Sequence, residues 1–265
     1  MYRVICPVDF SDVSKNALLY AVHLLNDLGA GHLQVLHCYE LPSATGHERM
    51  MNEAVRSGAQ KDMETVISVT TPWLGPNETI DYAIHRGDCP EHLNKIANER
   101  KYDLIVLGSE SSAQRMKIIF GSTTKEILNQ VEMPTLVVPD QVKYEPLKNI
   151  VLAIEDKINP ETFQVINRLG KTHMQHLSIL HVGDINIGKR EIDYYGQLMG
   201  DYSYSFHNIE GDDVINGING FVEDIDADLL VMEKHKRKFF QKIFRVSHTN
   251  LELFEARIPL LVLHE

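Results

Sequence analysis

The chain repeats itself, and the repeat limits what it can fold into. The segment YDLIVLG (102–108) returns as ADLLVME (227–233), and MPTLVVPD (133–140) returns as IPLLVLHE (258–265). Thirty-one positions separate Asp103 from Pro134, and thirty-one separate Asp228 from Pro259. Upstream, YRVICPVDF (2–10) is echoed by KNIVLAIED (148–156), and LQVLHCYE (33–40) by LSILHVGD (177–184), with His37 against His181. The middle is looser: 66 positions separate His37 from Asp103, but only 47 separate His181 from Asp228. Such a repeat marks two structural units. They are predicted over 1–143 and 147–265, joined near Val142 to Leu147. The second copy is expected to have lost most of the helical stretch before its third strand.

Within the first copy, short apolar runs rich in branched residues (2–8, 33–39, 79–84, 104–107 and 135–138) read as strands. Asp9-Phe10-Ser11-Asp12 opens a helix, with Ser11 or Asp12 as its cap and Ala17, Leu18, Ala21, Leu24, Leu25 and Leu28 on its apolar face. A polar, partly helical stretch covers 47–69 and ends near Pro72 and Trp73, the lone tryptophan, which is expected to pack under a loop. A further helix spans 89–100 with Pro90 in its first turn. Residues 124–131 place Ile127, Leu128 and Val131 on one helical face. Strand and helix alternate, which predicts an α/β fold with a parallel sheet.

Composition excludes several classes. A net charge of −11 and a pI near 5.6 argue against a nucleic-acid or anionic-membrane surface. No apolar run reaches the length of a membrane span. The opening residues run directly into a strand without a signal-peptide layout, so a cytoplasmic protein is expected. The three cysteines fit a reducing compartment and show no CxxC or Cys/His spacing for zinc, so no metal site of the chain's own is predicted. Cys6 and Cys38 are expected to be small buried residues.

The candidate site lies in 102–140. A strand ends at Gly108, a polar loop follows (Ser109, Glu110, Ser111, Ser112), and Gly121-Ser122-Thr123 stands before a helix. Glycine lets backbone approach a ligand, and free N–H groups at a helix start attract anions. The alternative is that Gly121 only relieves a tight turn and Ser122 only caps the helix. Ligands of parallel sheets sit beyond the carboxyl ends of the strands, where Pro7-Val8-Asp9, Cys38 and Gly108 converge. Asp9 could accept hydrogen bonds from ribose hydroxyls or an adenine amino group, or could simply complement the helix dipole. Neither GxGxxG nor GxxxxGK followed by Ser or Thr is present. The second copy keeps its strands but loses the glycines, so turning alone does not demand them, which favours a ligand role in the first.

This arrangement resembles the universal stress protein family in a tandem form. The family's nucleotide-binding members carry G-x2-G-x9-G-S/T. Gly108, Ser111, Gly121 and Ser122 hold that spacing, with Ser111 in place of the middle glycine, a substitution that would strain the loop by about 1 kcal/mol if it needed positive φ. The resemblance implies two Rossmann-like, adenine nucleotide alpha hydrolase-like domains, each a mainly parallel five-stranded sheet flanked by helices. It also implies a pseudo-dimer of the two domains through their last strands, with a homodimer of chains as a further option. Asp9 would then contact the nucleoside, Cys38 and Leu107 would flank the base beside Pro7 and Val8, and Gly108, Ser111, Gly121, Ser122 and Thr123 would hold phosphates. In the second copy Glu233 stands for Gly108, Lys236 for Ser111 and Val246 for Gly121, while Ser247 remains. A carboxylate repels phosphate and valine fills the space, so only the N-terminal domain is expected to bind ATP or a related adenine nucleotide.

The run Lys234-His235-Lys236-Arg237-Lys238 with Phe239 and Phe240 reads as a solvated loop rather than a nucleic-acid contact. His235, His248 and His264 are scattered, and His37 and His181 sit at strand ends, so structural roles are expected. No base or nucleophile stands beside the glycine loop. A sensor or regulator is therefore expected, with at most weak ATP hydrolysis. The alternative is a nucleotide-free interaction module acting through dimerisation and protein partners. An adenylyl transferase would need a HxGH-type signature after the first strand, and Pro7-Val8-Asp9-Phe10 has none.

Overall fold

The structure, a computed structural model, describes residues 1–41, 48–99, 101–111, 118–154, 157–182, 188–209, 214–234 and 257–264. It divides into two compact units, one of Met1–Glu110 with Phe120–Tyr144 and the other of Ser111–Ile119 with Glu145–Glu265. Up to residue 144 the elements are β1 (Tyr2–Pro7), α1 (Asp12–Leu28), β2 (Gly31–Tyr39), α2 (Glu48–Thr70), a 3-10 turn (Thr71–Trp73), β3 (Glu78–Arg86), α3 (Cys89–Asn98), β4 (Leu104–Ser111), β5 (Ile118–Ile119), α4 (Ser122–Gln130) and β6 (Thr135–Pro139). The first unit's strands lie in the order β3-β2-β1-β4-β6, every pairing parallel.

The remaining elements are β7 (Asn149–Ile154), α5 (Pro160–Leu169), β8 (His176–Val182), α6 (Lys189–Gly196), β9 (Ser203–Ile209), α7 (Val214–Asp224), β10 (Leu229–Lys234) and β11 (Leu260–His264). Their order, β9-β8-β7-β10-β11, again all parallel, is that of the first unit. Both are α/β units with a five-stranded parallel sheet flanked by helices.

The repeated aspartate explains why the register is kept. Asp103 accepts from the Arg3 N–H at 2.8 Å, and its own N–H donates to the Arg3 carbonyl. Asp228 accepts from the N–H groups of Lys148 and Asn149 at 2.8 and 2.7 Å, and its N–H returns to the Asn149 carbonyl. In each unit the carboxylate fastens the first strand to the start of the fourth. Two residues on, Ile105 donates to the Pro134 carbonyl and Leu230 to the Pro259 carbonyl. The spacing of thirty-one positions is therefore the distance needed to close the same backbone bond twice.

In the first unit, Ala17, Leu18, Ala21, Leu24 and Leu25 of α1 are fully or almost fully buried. A separate cluster joins Ile5, Leu36, Ile105 and Leu107 of the sheet to Leu93 of α3 and Ile127 of α4. Burying each such side chain contributes about 1.5–3 kcal/mol, and α3 and α4 are fixed beside the strand ends as a result. Asn16 on α1 donates to the carbonyls of Pro139 and Val142, and Lys143 donates back to Asn16, so the chain leaving β6 is held against α1.

Three local expectations change. The fourth strand does not stop at Gly108; β4 runs on because Gly108 and Ser109 still pair with Val138 and Pro139 of β6. Helix α4 begins at Ser122, and Gly121 rather than Ser122 is its cap. Trp73 is not packed under a loop: it is 56% exposed, edge-on to the His23 ring. The second unit's helix before its third strand, β9, is short, as expected, with eight residues in α6 against twenty-three in α2. Among the described residues, no helix is long and apolar enough to cross a membrane.

Candidate functional site

In the first unit a cavity of about 410 Å³ opens beyond the carboxyl ends of β1, β2 and β4. That is within the range of about 300–1,000 Å³ usual for small-molecule sites. Pro7, Val8 and Asp9 enter from β1, Leu36 and Cys38 from β2, and Leu107 to Glu110 from β4. The start of α1 supplies Ser11, Val13 and Ser14, Cys89 comes from α3, and Gly121 to Thr124 with Ile127 come from α4. Every residue proposed from sequence is here except Ser111, which ends β4 and whose side chain lies outside the described residues. The backbone strain anticipated at Ser111 is absent. Among the described non-glycine residues, only Phe10 and Asp226 have positive φ.

The β1–α1 turn is held tightly. The Asp9 carboxylate accepts from the Ser11 N–H at 3.0 Å and from its hydroxyl at 2.6 Å. Ser11 caps α1, its hydroxyl oxygen accepting from the Ser14 N–H at 3.2 Å. Partial burial pushes the Asp9 carboxyl upward, but the hydrogen bonds from Ser11 and Ser14 outweigh it and hold the group below its ordinary value. Asp9 is therefore ionised at neutral pH. Phe10 adopts the left-handed conformation at φ 67°, which a bulky residue keeps only where its surroundings impose it. Its ring lies 4.4 Å from that of His37, and His37 Nδ1 donates to the Val8 carbonyl at 2.8 Å. The strand-end histidine thus shapes the turn that presents Asp9.

The two glycines differ in why they are glycine. At Gly108 an added Cβ would stand 2.7 Å from the Val13 carbonyl oxygen and 2.8 Å from its Cγ1. Close packing of β4 on α1 excludes a side chain there. Among the described residues an added Cβ at Gly121 meets nothing within 4 Å, and the backbone, at φ −61°, is open to any residue. Neither turn geometry nor packing among those residues asks for glycine at that point. Among the described residues no side chain caps α4, whose leading N–H groups lack intrahelical partners by construction. Thr124, in the first turn of α4, donates to the Gly108 carbonyl at 3.4 Å and joins the two sides.

The cavity residues that sequence reasoning missed fall into two kinds. Ser11 and Ser14 carried a visible signal, a serine cap with a second hydroxyl three residues on. Cys89 carried none, because sheet pairing brings it to the wall, while Ser109 and Glu110, read as a polar loop, reach it through the extension of β4. The Ser109 hydroxyl is buried and finds no hydrogen-bond partner among the described residues. Among those residues, no group of three or more His, Cys, Asp or Glu side chains is arranged to hold a metal ion.

The second unit uses the equivalent place differently. Glu233, at the position of Gly108, is 5% exposed, and its carboxylate accepts from the Asn159 N–H at 3.0 Å and from the Thr162 hydroxyl. Asn159 caps α5 and Thr162 lies in its first turn, so the carboxylate occupies the helix N-terminus. His181, the echo of His37, bonds Asn208 through Nδ1 at 2.9 Å. Lys236, Val246 and Ser247, together with 235–240 of the basic run and His248, lie outside the described residues.

A doubly wound parallel sheet with a cavity at the carboxyl ends of its central strands defines a Rossmann-like α/β protein. The universal stress protein family matches residues 1–139, and the chain belongs to that family. Universal stress protein MJ0531 of Methanocaldococcus jannaschii is 22% identical over 141 residues, 51% of this chain and 81% of that protein. A universal stress protein from Archaeoglobus fulgidus DSM 4304 aligns at TM-score 0.79 and 17% identity, covering 99% of this chain and 98% of its own. A structure from Pseudomonas aeruginosa UCBPP-PA14, assigned to the same proteins, aligns at TM-score 0.54 and 12% identity over 100% of this chain and 93% of its own. At these identities the two structures speak for the fold alone.

Proposed function

We propose that the first unit binds ATP or a related adenine nucleotide in the 410 Å³ cavity and that binding acts as a sensory or regulatory signal rather than as a catalytic step. The observation that carries this reading is Gly121: a glycine at a helix N-terminus, facing a cavity, where neither its φ nor its packing against the described residues requires one. A phosphate approaching the start of α4 does require it, since a side chain would stand in its path. The ionised Asp9, fixed by Ser11, offers acceptors to ribose hydroxyls or an exocyclic amine. Cys38 and Leu107 give the base apolar flanks. A polar ligand would also satisfy the Ser109 hydroxyl, which finds no partner among the described residues, a lack worth about 1–3 kcal/mol of desolvation. The second unit takes no part in this binding, because Glu233 puts a carboxylate where an anion would sit.

Heat denaturation of the purified protein, followed by chromatography of the supernatant, tests the reading directly. Released adenine nucleotide, or an ATP-dependent rise in melting temperature that Gly121→Val abolishes, is the expected result. If wild type carries no nucleotide and ATP shifts nothing, the proposal fails and the nucleotide-free interaction module takes its place.

A further inference from the structure

We infer that Cys38 and Cys89 form a modification site, a dithiol in the cavity wall that a low-molecular-weight disulfide closes into an intrachain disulfide bond. The site does not depend on the nucleotide reading.

The two cysteines are far apart in sequence, and the sheet brings them together. Cys38 is paired in parallel register with His85 on β3, and the Gly87 N–H donates to the Tyr39 carbonyl at 2.9 Å, turning the chain back beside the end of β2. Asp88 then caps α3, and Cys89 is the first residue of that helix. Both thiols are free, both border the cavity, and both pack against the cluster that includes Ile5, Leu93 and Ile127. The influence of the Cys89 thiol on Cys38 is the first cause of the shift in the Cys38 thiol.

That influence divides the roles. It lowers the Cys38 thiol below its ordinary value, although burial and the Asp88 charge oppose it. The influence of Cys38, together with burial, raises Cys89. In the proposed exchange Cys38 attacks and Cys89 resolves. Cys6 supplies an internal contrast, since it is fully buried and its thiol is pushed up to about 12.

The chemistry balances in two steps. The Cys38 thiolate attacks one sulfur of a small disulfide, breaking its S–S bond and releasing one thiolate, which takes up a proton. The Cys89 thiol gives its proton to solvent and attacks the Cys38 sulfur, expelling the second small thiolate, which is protonated in turn. Two electrons pass from the cysteine pair to the small disulfide, which leaves as two thiols. The new bond joins the end of β2 to the start of α3.

The test treats reduced full-length protein with oxidised glutathione, then denatures it, alkylates the remaining thiols with iodoacetamide and measures intact and peptide masses. The expected product is lighter by two hydrogens before alkylation, carries one alkylated cysteine, Cys6, and yields a linked peptide pair holding Cys38 and Cys89. Dithiothreitol restores all three thiols, and Cys89→Ser traps glutathione on Cys38. Three alkylated cysteines after prolonged exposure overturn the inference. So do glutathione remaining on wild-type Cys38 and a bond that joins two chains. Should Cys89→Ser fail to fold, the wild-type peptide map decides alone.

Discussion

The two units share a strand order, a repeated aspartate fastening and a spacing of thirty-one positions, yet they treat the end of the fourth strand in opposite ways. In the first, Gly108 lets β4 lie against the Val13 backbone and leaves a cavity beside α1 and α4. In the second, Glu233 extends into the corresponding place and caps α5 through Asn159 and Thr162. A helix N-terminus near a sheet's carboxyl end needs an acceptor. The second unit supplies one covalently. The first meets the need at α1 with the Ser11 hydroxyl, and among the described residues no side chain caps α4. In the second unit the acceptor at the start of α5 is thus a side chain of the chain itself.

The largest expected effect separates the units by pH. His264, at the end of β11, is pushed from 6.5 down to about 4 by burial, with the nearby Lys234 charge adding to the effect. Its folded form resists protonation, so its contribution is present above pH 6.5 and is lost as pH falls from there toward 4. The full loss amounts to about 3 kcal/mol. Asp9 in the first unit is depressed from its ordinary 3.8, so its contribution survives until more acidic pH. Hydrogen exchange at pH 5 should therefore open β10 and β11 before β1 and β4, and His264→Leu should remove the difference. Equal protection at pH 5 would contradict the assignment.

Glu233→Ala comes next. It strands the Asn159 N–H and the Thr162 hydroxyl and should destabilise the second unit by about 2–3 kcal/mol in urea melts. Glu233→Gln, which keeps an accepting oxygen, should recover part of the loss. Unchanged exchange in α5 would break the comparison at its centre. In the first unit, Gly108→Ala sets a methyl 2.7 Å from the Val13 carbonyl and should destabilise by about 1–3 kcal/mol, whatever ligand is present. The smallest stability effect belongs to Gly121→Ser. It keeps a favoured capping residue and should change stability by no more than about 0.5 kcal/mol. It should also lower nucleotide affinity about tenfold, measured by titration calorimetry. Loss of stability there would return Gly121 to a purely structural role.

Much of this was legible before any coordinates. Apolar runs such as Leu104 to Leu107 read as strands because a strand covered on both faces tolerates no polar residue. Asp103 and Asp228 stood in register because each closes the same local bonds. Gly121-Ser122-Thr123 was visible as a helix start because capping chemistry is local. The extension of β4 past Gly108 was not legible, since it depends on how far β6 remains alongside. Trp73 was misread for a related reason, as nothing local says whether a tryptophan after a long helix finds cover.

The sequence by itself therefore determined the two units, their strands and the glycines at the site, because periodicity, turn chemistry and repeat spacing act between near neighbours. The tertiary structure alone decided that packing on Val13 requires glycine at 108, whereas no described residue crowds position 121. It decided that Cys89 would face Cys38, and that Glu233 would turn inward to cap α5 rather than stand as a charge in an open site. Each of these depends on sheet pairings between residues remote along the chain, and such contacts are settled only when the strands come together.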